Sequence, residues 1–100
     1  MARTAIHPGE HLRDELDELG ITATELARQI QVPPNRVTGI INGTRGITGD
    51  TALRLGHWFT MSPQFWLNLQ SLYDLRVAEA EVGKDVARLP TNAQSRAARG

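Results

Sequence analysis

The fold is decided by the stretch TATELARQIQVPPNRVTGIING, residues 22–43. Thr22 and Glu25 stand in a T-x-x-E arrangement, which is typical of a capping box at the start of a helix. Pro33 and Pro34 interrupt that helix, because a proline excludes the residue before it from the helical conformation. Apolar residues recur at helical intervals on both sides of the break: Leu26, Ala27 and Ile30 before it, and Val37, Ile40 and Ile41 after it. The stretch therefore predicts two short helices joined by a tight turn.

Helical spacing continues on both sides of this stretch, and no segment alternates with the period of two that a strand requires. Upstream, three leucines recur at helical intervals before a glycine: Leu12, Leu16, Leu19 and Gly20. Downstream, Thr48 can cap a fourth helix, and the pair Ser62 and Pro63 can open a long fifth helix from Gln64 to about Val82. The sequence therefore predicts a compact all-α domain of five helices.

Composition sets bounds on this chain. Its 100 residues, 40% of them hydrophobic, suit one domain with its own core, and the absence of cysteine excludes disulfides, thiolate metal sites and a cysteine nucleophile. No apolar run approaches the ~20 residues that span a bilayer, and the N-terminus lacks the apolar segment of a secretory signal. We therefore expect a soluble cytoplasmic protein with no membrane partner. Its predicted parts are an N-terminal arm (1–5), a helical domain (6–83) and a basic, partly disordered tail (84–100).

The charges cancel over the whole chain but not along it. Eleven basic and eleven acidic residues give a net charge of zero, which taken alone disfavours a nucleic-acid partner. By segment, residues 1–25 carry −4, residues 26–54 carry +3, residues 55–83 carry −2 and residues 84–100 carry +3. The bases of the central stretch are all arginine, the residue that forks onto phosphates and guanines. A +3 segment is equally ordinary for solvated helices, so charge alone leaves both interpretations open.

The second helix of the opening stretch is the candidate for reading DNA, because in a helix-turn-helix motif this helix can enter the major groove. Its outer face contains no acid and comprises Pro34, Asn35, Arg36, Thr38, Gly39 and Asn42. Asn35 suits adenine, Arg36 suits guanine or phosphate, and Thr38 suits phosphate or a thymine methyl group. A solvated polar surface is the alternative for such a short helix.

Three further residues bear on this prediction. Glycine costs a helix interior roughly 1 kcal/mol relative to alanine, so we expect something to approach the backbone closely at Gly39. A DNA base or sugar and a closely packed neighbouring helix are equally good candidates. Thr22 can present backbone N–H groups to a phosphate, and Arg45, in the loop after the second helix, can reach the flanking DNA backbone.

Several strings along the chain carry a family resemblance. They are IHPGEHL (6–12), TELARQI (24–30), ING (41–43), ITGDTALRL (47–55) and SPQFWLNLQSLYDL (62–75). With them the sequence from about Ile6 to Gly83 resembles the HigA-type antitoxins, a branch of the lambda-repressor-like helix-turn-helix family. The run through FWLNLQ to YDL is far more specific than a bare helix-turn-helix pattern. The resemblance implies a five-helix, lambda-repressor-like domain.

The resemblance also implies two roles. Such proteins neutralise a co-encoded toxin, usually a small basic RelE-like ribonuclease of the HigB type, and they dimerise and repress their own operon by binding double-stranded operator DNA. The family's base-reading positions correspond to Pro34, Asn35, Arg36, Thr38 and Gly39, and its phosphate-contacting positions to Thr22, Asn42, Thr44 and Arg45. The sequence departs from the family at Pro33 and Pro34, where relatives usually carry Ser or Thr. Proline supplies neither a capping hydroxyl nor an N–H, so we expect Asn35 and Arg36 to take a larger share of DNA recognition.

All five aromatic residues lie between positions 58 and 73, and the predicted fifth helix is apolar on two faces. One stripe holds Trp66, Leu69, Tyr73 and Val77, whereas Phe65, Leu72 and Leu75 point elsewhere. We assign the Trp66 stripe to a homodimer seam, since helix-turn-helix proteins usually read two half-sites as a two-fold dimer. The alternative is that the helical bundle itself surrounds this helix.

The string from His7 to His11, HPGEH, matches H-x-x-E-H, a zinc-protease signature. That chemistry needs both histidines on one stable helix, but Pro8 and Gly9 favour a helix that begins only after His7. We therefore expect no metal, no other cofactor, no catalytic residue and no enzymatic activity. Two alternatives to an antitoxin stay open: a solitary helix-turn-helix regulator without a toxin partner, and a protein-interaction module that has lost DNA binding.

Overall fold

The structure, a computed structural model, describes residues 4–93, which form five helices. They are α1 (Pro8–Leu19), α2 (Ala23–Gln29), α3 (Pro34–Ile41), α4 (Gly49–Phe59) and α5 (Pro63–Ala87). The prediction of an all-α fold with five helices is confirmed, and residues 4–93 contain no strand. Residues 1–3 of the predicted arm and residues 94–100 of the predicted tail lie outside the described residues.

The starts of the helices follow from their caps. Thr22, Thr48 and Ser62 each accept a backbone N–H at the start of α2, α4 and α5, as the sequence predicted. The capping box of α2 is only half formed, because the Glu25 carboxylate binds Arg28 and Gln29 instead of returning to Thr22. The hydrogen bond from Arg28 and that from Gln29 lower the pKa of Glu25 to about 2.

The core lies where α1 and α4 pack against the first half of α5, with α3 held between α1 and α2. Trp66 of α5 is fully buried there. The other buried apolar residues come from α1 to α4 and from two connecting segments: Leu12, Leu16, Leu26, Ala27, Ile30, Val32, Val37, Ile40, Ile47, Ala52 and Leu55. The inward residues predicted for α2 and α3 are thus buried, apart from Ile41, which is half-buried.

The fifth helix is longer than the sequence predicted. It passes through Gly83 and ends at Ala87, because glycine weakens a helix without forbidding it. Its 25 residues correspond to a length of ~37 Å. From residue 78 onward every described residue except Gly83 is exposed, and the described chain measures 62 × 24 × 20 Å. The second half of α5 therefore projects beyond the core, and the predicted domain boundary at residue 83 falls inside the helix.

Candidate nucleic-acid interface

The outer face of α3 is available to a ligand along most of its length. Val37 and Ile40 are buried and Ile41 packs partly buried against the core, so the remaining side chains of the helix face outward. The predicted recognition residues divide into exposed positions (Pro34, Asn35 and Asn42) and half-exposed ones (Arg36, Thr38 and Gly39). The structure therefore places all six on the accessible side of α3, as the spacing predicted.

The start of α3 has fewer hydrogen-bond donors and acceptors than an ordinary helix start, because its first two positions are prolines. Pro33 is the N-cap residue and provides no side-chain hydrogen bond, and Pro34 has no N–H. The N–H of Arg36 donates to the carbonyl of Pro33 at 3.0 Å. The backbone N–H of Asn35 is therefore the donor that this end of the helix can offer to an anion.

An acidic residue lies beside this face, although the sequence of α3 itself contains none. Asp50 belongs to α4, and its Oδ1 accepts from Arg36 Nη1 at 2.9 Å and from Arg54 Nε at 2.8 Å. The bond from Arg54 lowers the pKa of Asp50, and the charges of Arg54 and Arg36 act in the same direction. Arg54 also donates through Nη1 to the carbonyl of Ile30 at 2.8 Å, which links α4 to the turn between α2 and α3. The ionised trio of side chains leaves a net positive charge next to α3.

The close approach expected at Gly39 is made by the protein's own chain. The carbonyl of Gly39 accepts from Thr44 N at 2.9 Å, Arg45 N at 3.1 Å and Thr44 Oγ1 at 3.2 Å. A Cβ atom at position 39 would lie 3.3 Å from the Cβ of Arg45. The structure thus explains this glycine by packing within the protein, although the contact comes from the segment that follows α3 and not from a neighbouring helix.

The predicted phosphate-contacting residues lie at the two ends of the helix-turn-helix unit. Thr22 precedes α2, and its Oγ1 accepts from the N–H of Glu25 at 3.1 Å. Asn42, Thr44 and Arg45 follow α3. All four are exposed, so their side chains are accessible from outside the protein.

The predicted dimer residues do not share an exposed stripe. Trp66 has no exposed surface, and its ring lies 5.4 Å from that of Phe59, measured between centroids. A side chain buried in this way cannot contact a second molecule, so the assignment of Trp66 to a dimer seam is wrong. Leu69, Tyr73 and Val77 lie on the same side of α5 and are half-buried.

The second apolar stripe of α5 is the one that faces outward. Leu72 and Leu75 are exposed, although Phe65, which we grouped with them, packs against the core. Val82 and Val86 extend their line along the projecting half of the helix. We name Leu72, Leu75, Val82 and Val86 the outer stripe. Of the two apolar faces of α5, the one that holds Trp66 therefore closes the core, and the outer stripe is exposed.

The H-x-x-E-H residues cap and pack α1. His7 precedes the helix, as expected. Its ring Nδ1 accepts from the backbone N–H of Gly9 at 2.9 Å, and its backbone N–H donates to the Glu10 carboxylate at 3.3 Å. The ring of His11 lies 5.2 Å from that of Phe65. Within residues 4–93, no three His, Asp or Glu side chains are grouped closely enough to hold a metal ion. None of the described helices has the length and apolar character to cross a membrane.

Comparison with known sequences agrees with this geometry. The profile of the helix-turn-helix family matches residues 12–57, from α1 into α4. Virulence-associated protein I of Dichelobacter nodosus is 50% identical over 78 residues, which cover 77% of this chain and 72% of that protein.

Two solved structures share the whole arrangement of helices. An addiction module antidote protein of the HigA family from Coxiella burnetii has a TM-score of 0.87 at 48% identity, covering 89% of this chain and 98% of that one. The Pseudomonas aeruginosa antitoxin HigA, solved with the higBA promoter, has a TM-score of 0.85 at 46% identity, with the same coverage of both chains.

Proposed function

Because the chain belongs to the HigA family of helix-turn-helix proteins, we propose that it is a cytoplasmic antitoxin that also represses its own operon. In this proposal it binds double-stranded operator DNA sequence-specifically and neutralises a co-encoded toxin. The observation that carries the DNA-binding half is the accessible face of α3, where Asn35, Arg36 and Thr38 lie together. A homologous antitoxin with the same fold was solved with its promoter, which supports the same mode of action.

Base recognition is assigned to the outer face of α3 in the major groove. Asn35 can form two hydrogen bonds with adenine, and Thr38 can contact a thymine methyl group. Arg36 donates to Asp50 through Nη1, which leaves its other N–H donors for guanine or phosphate. Pro34 is exposed and can contact base edges through its ring, and Gly39 is half-exposed on the same accessible side of the helix.

Phosphate contacts are assigned to the two flanks of α3. Thr22 on one side and Asn42, Thr44 and Arg45 on the other can hold the DNA backbone and so set the register of the helix in the groove. Since no capping hydroxyl is present at Pro33, the N–H of Asn35 is the backbone donor for a phosphate at the start of α3. This gives few phosphate contacts per subunit.

A homodimer would supply the remaining contacts, because two subunits bind two half-sites together. We propose that the outer stripe forms the seam, whereas Leu69, Tyr73 and Val77, which we had also predicted for it, lie on a different side of α5. The outer stripe has the spacing of three, seven and four residues that two paired helices bury between them. In a two-fold dimer the same stripe of each subunit meets its copy, so one apolar face is sufficient.

The toxin of this proposal is a small basic RelE-like ribonuclease. The acidic residues of α1 offer a complementary surface and are exposed or half-exposed: Asp14, Glu15, Asp17 and Glu18. The first test is genetic, since a gene of about 90–110 codons for a small basic protein should adjoin this one. Co-expression of the two genes should restore growth that the neighbour alone prevents. If no such gene adjoins, a solitary helix-turn-helix regulator becomes the better assignment.

The decisive test of DNA binding is Arg36→Ala. We expect it to weaken binding to the DNA upstream of the gene by about 1–3 kcal/mol per subunit, measured by fluorescence anisotropy. Arg88→Ala removes the same charge at the end of α5 and is the matched control, for which we expect little change. Neutralisation of the toxin should survive Arg36→Ala. Wild-type affinity of Arg36→Ala would contradict the assigned recognition face, and loss of neutralisation would show that the two functions share a surface.

A further inference from the structure

The segment between α3 and α4 is fastened to α5 by one side chain. The N–H of Ile47 donates to Oε1 of Gln70 at 2.7 Å. Ile47 is buried, and a buried N–H without an acceptor destabilises the conformation that creates it. Gln70 therefore provides the hydrogen bond that this backbone position requires, across 23 residues of sequence.

Gly46 allows Gln70 to come this close. A Cβ atom at position 46 would lie 2.9 Å from Oε1 and 3.0 Å from both Cδ and Nε2 of Gln70. The glycine thus lets the whole side-chain amide rest against the backbone. Gln70 Nε2 donates to Oδ1 of Asp74 at 2.9 Å, which holds the amide with its oxygen directed at Ile47.

The opposite end of the same segment is fastened to α3. Its anchor is the carbonyl of Gly39, which accepts from the backbone of Thr44 and Arg45. Thr44 and Arg45 thus have their backbone held at this anchor and their side chains exposed, and only Gly46 separates Arg45 from Ile47, which Gln70 holds. Their direction is therefore determined by two contacts, one local and one from a helix that does not belong to the recognition unit.

We infer that Gln70 is a positioning residue for DNA binding, which holds the α3–α4 segment so that Thr44 and Arg45 meet the phosphates beside the recognition helix. This inference rests on the proposed function. An anchored segment loses less conformational freedom when it binds, so affinity is higher than for a segment that must be ordered by the DNA. Without the hydrogen bond from Ile47 to Gln70, Arg45 keeps its charge, but its contact with the phosphate is formed for a smaller fraction of the time.

The test compares Gln70→Leu with Gln64→Leu. Gln64 lies on the same helix, is exposed and bonds through its side-chain amide to Asn68 only, which makes it the matched control. We expect Gln70→Leu to weaken binding to the upstream DNA by about three- to tenfold and Gln64→Leu to leave it unchanged. The salt dependence should also become shallower for Gln70→Leu, by about one unit of slope per subunit, because a phosphate contact is lost. A protein that is merely less stable would bind with the original slope.

A double-mutant cycle with Arg45→Ala shows whether Gln70 acts through the segment. In the Arg45→Ala background, Gln70→Leu should weaken binding to the upstream DNA by less than twofold. Hydrogen exchange of the Ile47 amide gives a second readout, and it should be slow in the wild-type protein and fast in Gln70→Leu. If Gln70→Leu lowers the folded fraction, Gly46→Ala is the variant to measure instead. Its added Cβ would displace the Gln70 amide from Ile47 without changing Gln70 itself.

The outcomes separate the two proposals. Wild-type affinity and slope in both Gln70→Leu and Gly46→Ala would overturn the inference while leaving DNA binding intact. An undiminished effect of Gln70→Leu in the Arg45→Ala background would also overturn it. If the wild-type protein and Gln64→Leu both fail to bind the upstream DNA, the proposed function itself fails, and this inference with it.

Discussion

The helix-turn-helix unit and α5 differ in how far their apolar side chains are buried. In α2 and α3 every strongly apolar side chain faces the core, fully or in part, and the outer surface is polar. α5 carries apolar residues on two faces, of which one covers the core through Trp66 and the other, the outer stripe, faces outward. The helix-turn-helix unit buries its apolar side chains within one chain. α5 leaves an apolar surface exposed to water, and the exposure of that surface is unfavourable in free energy. In the proposed function, the polar unit recognises DNA and α5 carries the association of two subunits.

Truncation of one residue on each face of α5 should give the largest difference between the buried face and the outer stripe. Trp66→Ala should lower the free energy of unfolding by about 3–5 kcal/mol, because it opens a cavity at the centre of the core. Leu75→Ala, at an exposed position, should lower it by at most about 1 kcal/mol, and only at protein concentrations where the chain is dimeric. Urea denaturation at two protein concentrations measures both. Similar losses for the two variants would refute the assignment of the faces.

The next largest effect is expected from charging the outer stripe. Leu75→Glu together with Val82→Glu should give a folded monomer in sedimentation, since like charges would meet across the seam. Its affinity for a complete operator should fall by about a hundredfold or more, because the two half-sites no longer bind in one event. The control is Ala80→Glu with Ala87→Glu, which adds the same charge at exposed positions away from the outer stripe, on the side of α5 that holds Tyr73 and Val77. An unchanged dimer in the stripe variant would place the seam elsewhere.

The proposed dimer should also set the salt dependence of operator binding. A dimer with ~5–9 phosphate contacts should show a slope of log affinity against log salt on the order of −4 to −8. The stripe variant, tested on a single half-site, should show about half that slope. A slope near zero for the wild-type protein would contradict phosphate binding by the helix-turn-helix unit.

The smallest expected effect concerns the acid beside the recognition helix. Asp50→Asn removes the charge that pairs with Arg36 and Arg54, so binding to random-sequence DNA should rise about two- to threefold. Operator binding should gain less, because Arg36 is then oriented less firmly toward one base. The ratio of operator to random-sequence affinity, measured in parallel titrations, should therefore fall. A ratio equal to or above that of the wild-type protein would exclude an orienting role for Asp50.

Local sequence rules predicted much of this fold because caps and prolines act within one helical turn. Thr22, Thr48 and Ser62 begin helices as expected, and Pro33 ends the tight turn before α3. Glycine was the less reliable signal, since Gly83 lies inside α5 rather than at its end. Its cost of about 1 kcal/mol is small enough for the flanking helical residues to outweigh it.

The recognition face was predictable for the same reason, but its surroundings were not. The inward packing of Val37 and Ile40 by itself directs Asn35 and Arg36 outward. Asp50 and Arg54 are visible in the sequence as a pair four residues apart, whereas the contact of Asp50 with Arg36 joins two helices. Gln70 gives no local signal of its bond to Ile47, because that bond exists only once α5 lies against the α3–α4 segment.

The sequence by itself determined the five helices, the prolines at the start of α3 and the existence of two apolar faces on α5. Each of these depends on residues at most a few positions apart. The tertiary structure decided which face of α5 is covered, that Arg36 is paired and that Gln70 anchors the segment after α3. Periodicity shows which residues of a helix lie on one side, but burial depends on what the neighbouring helices place there.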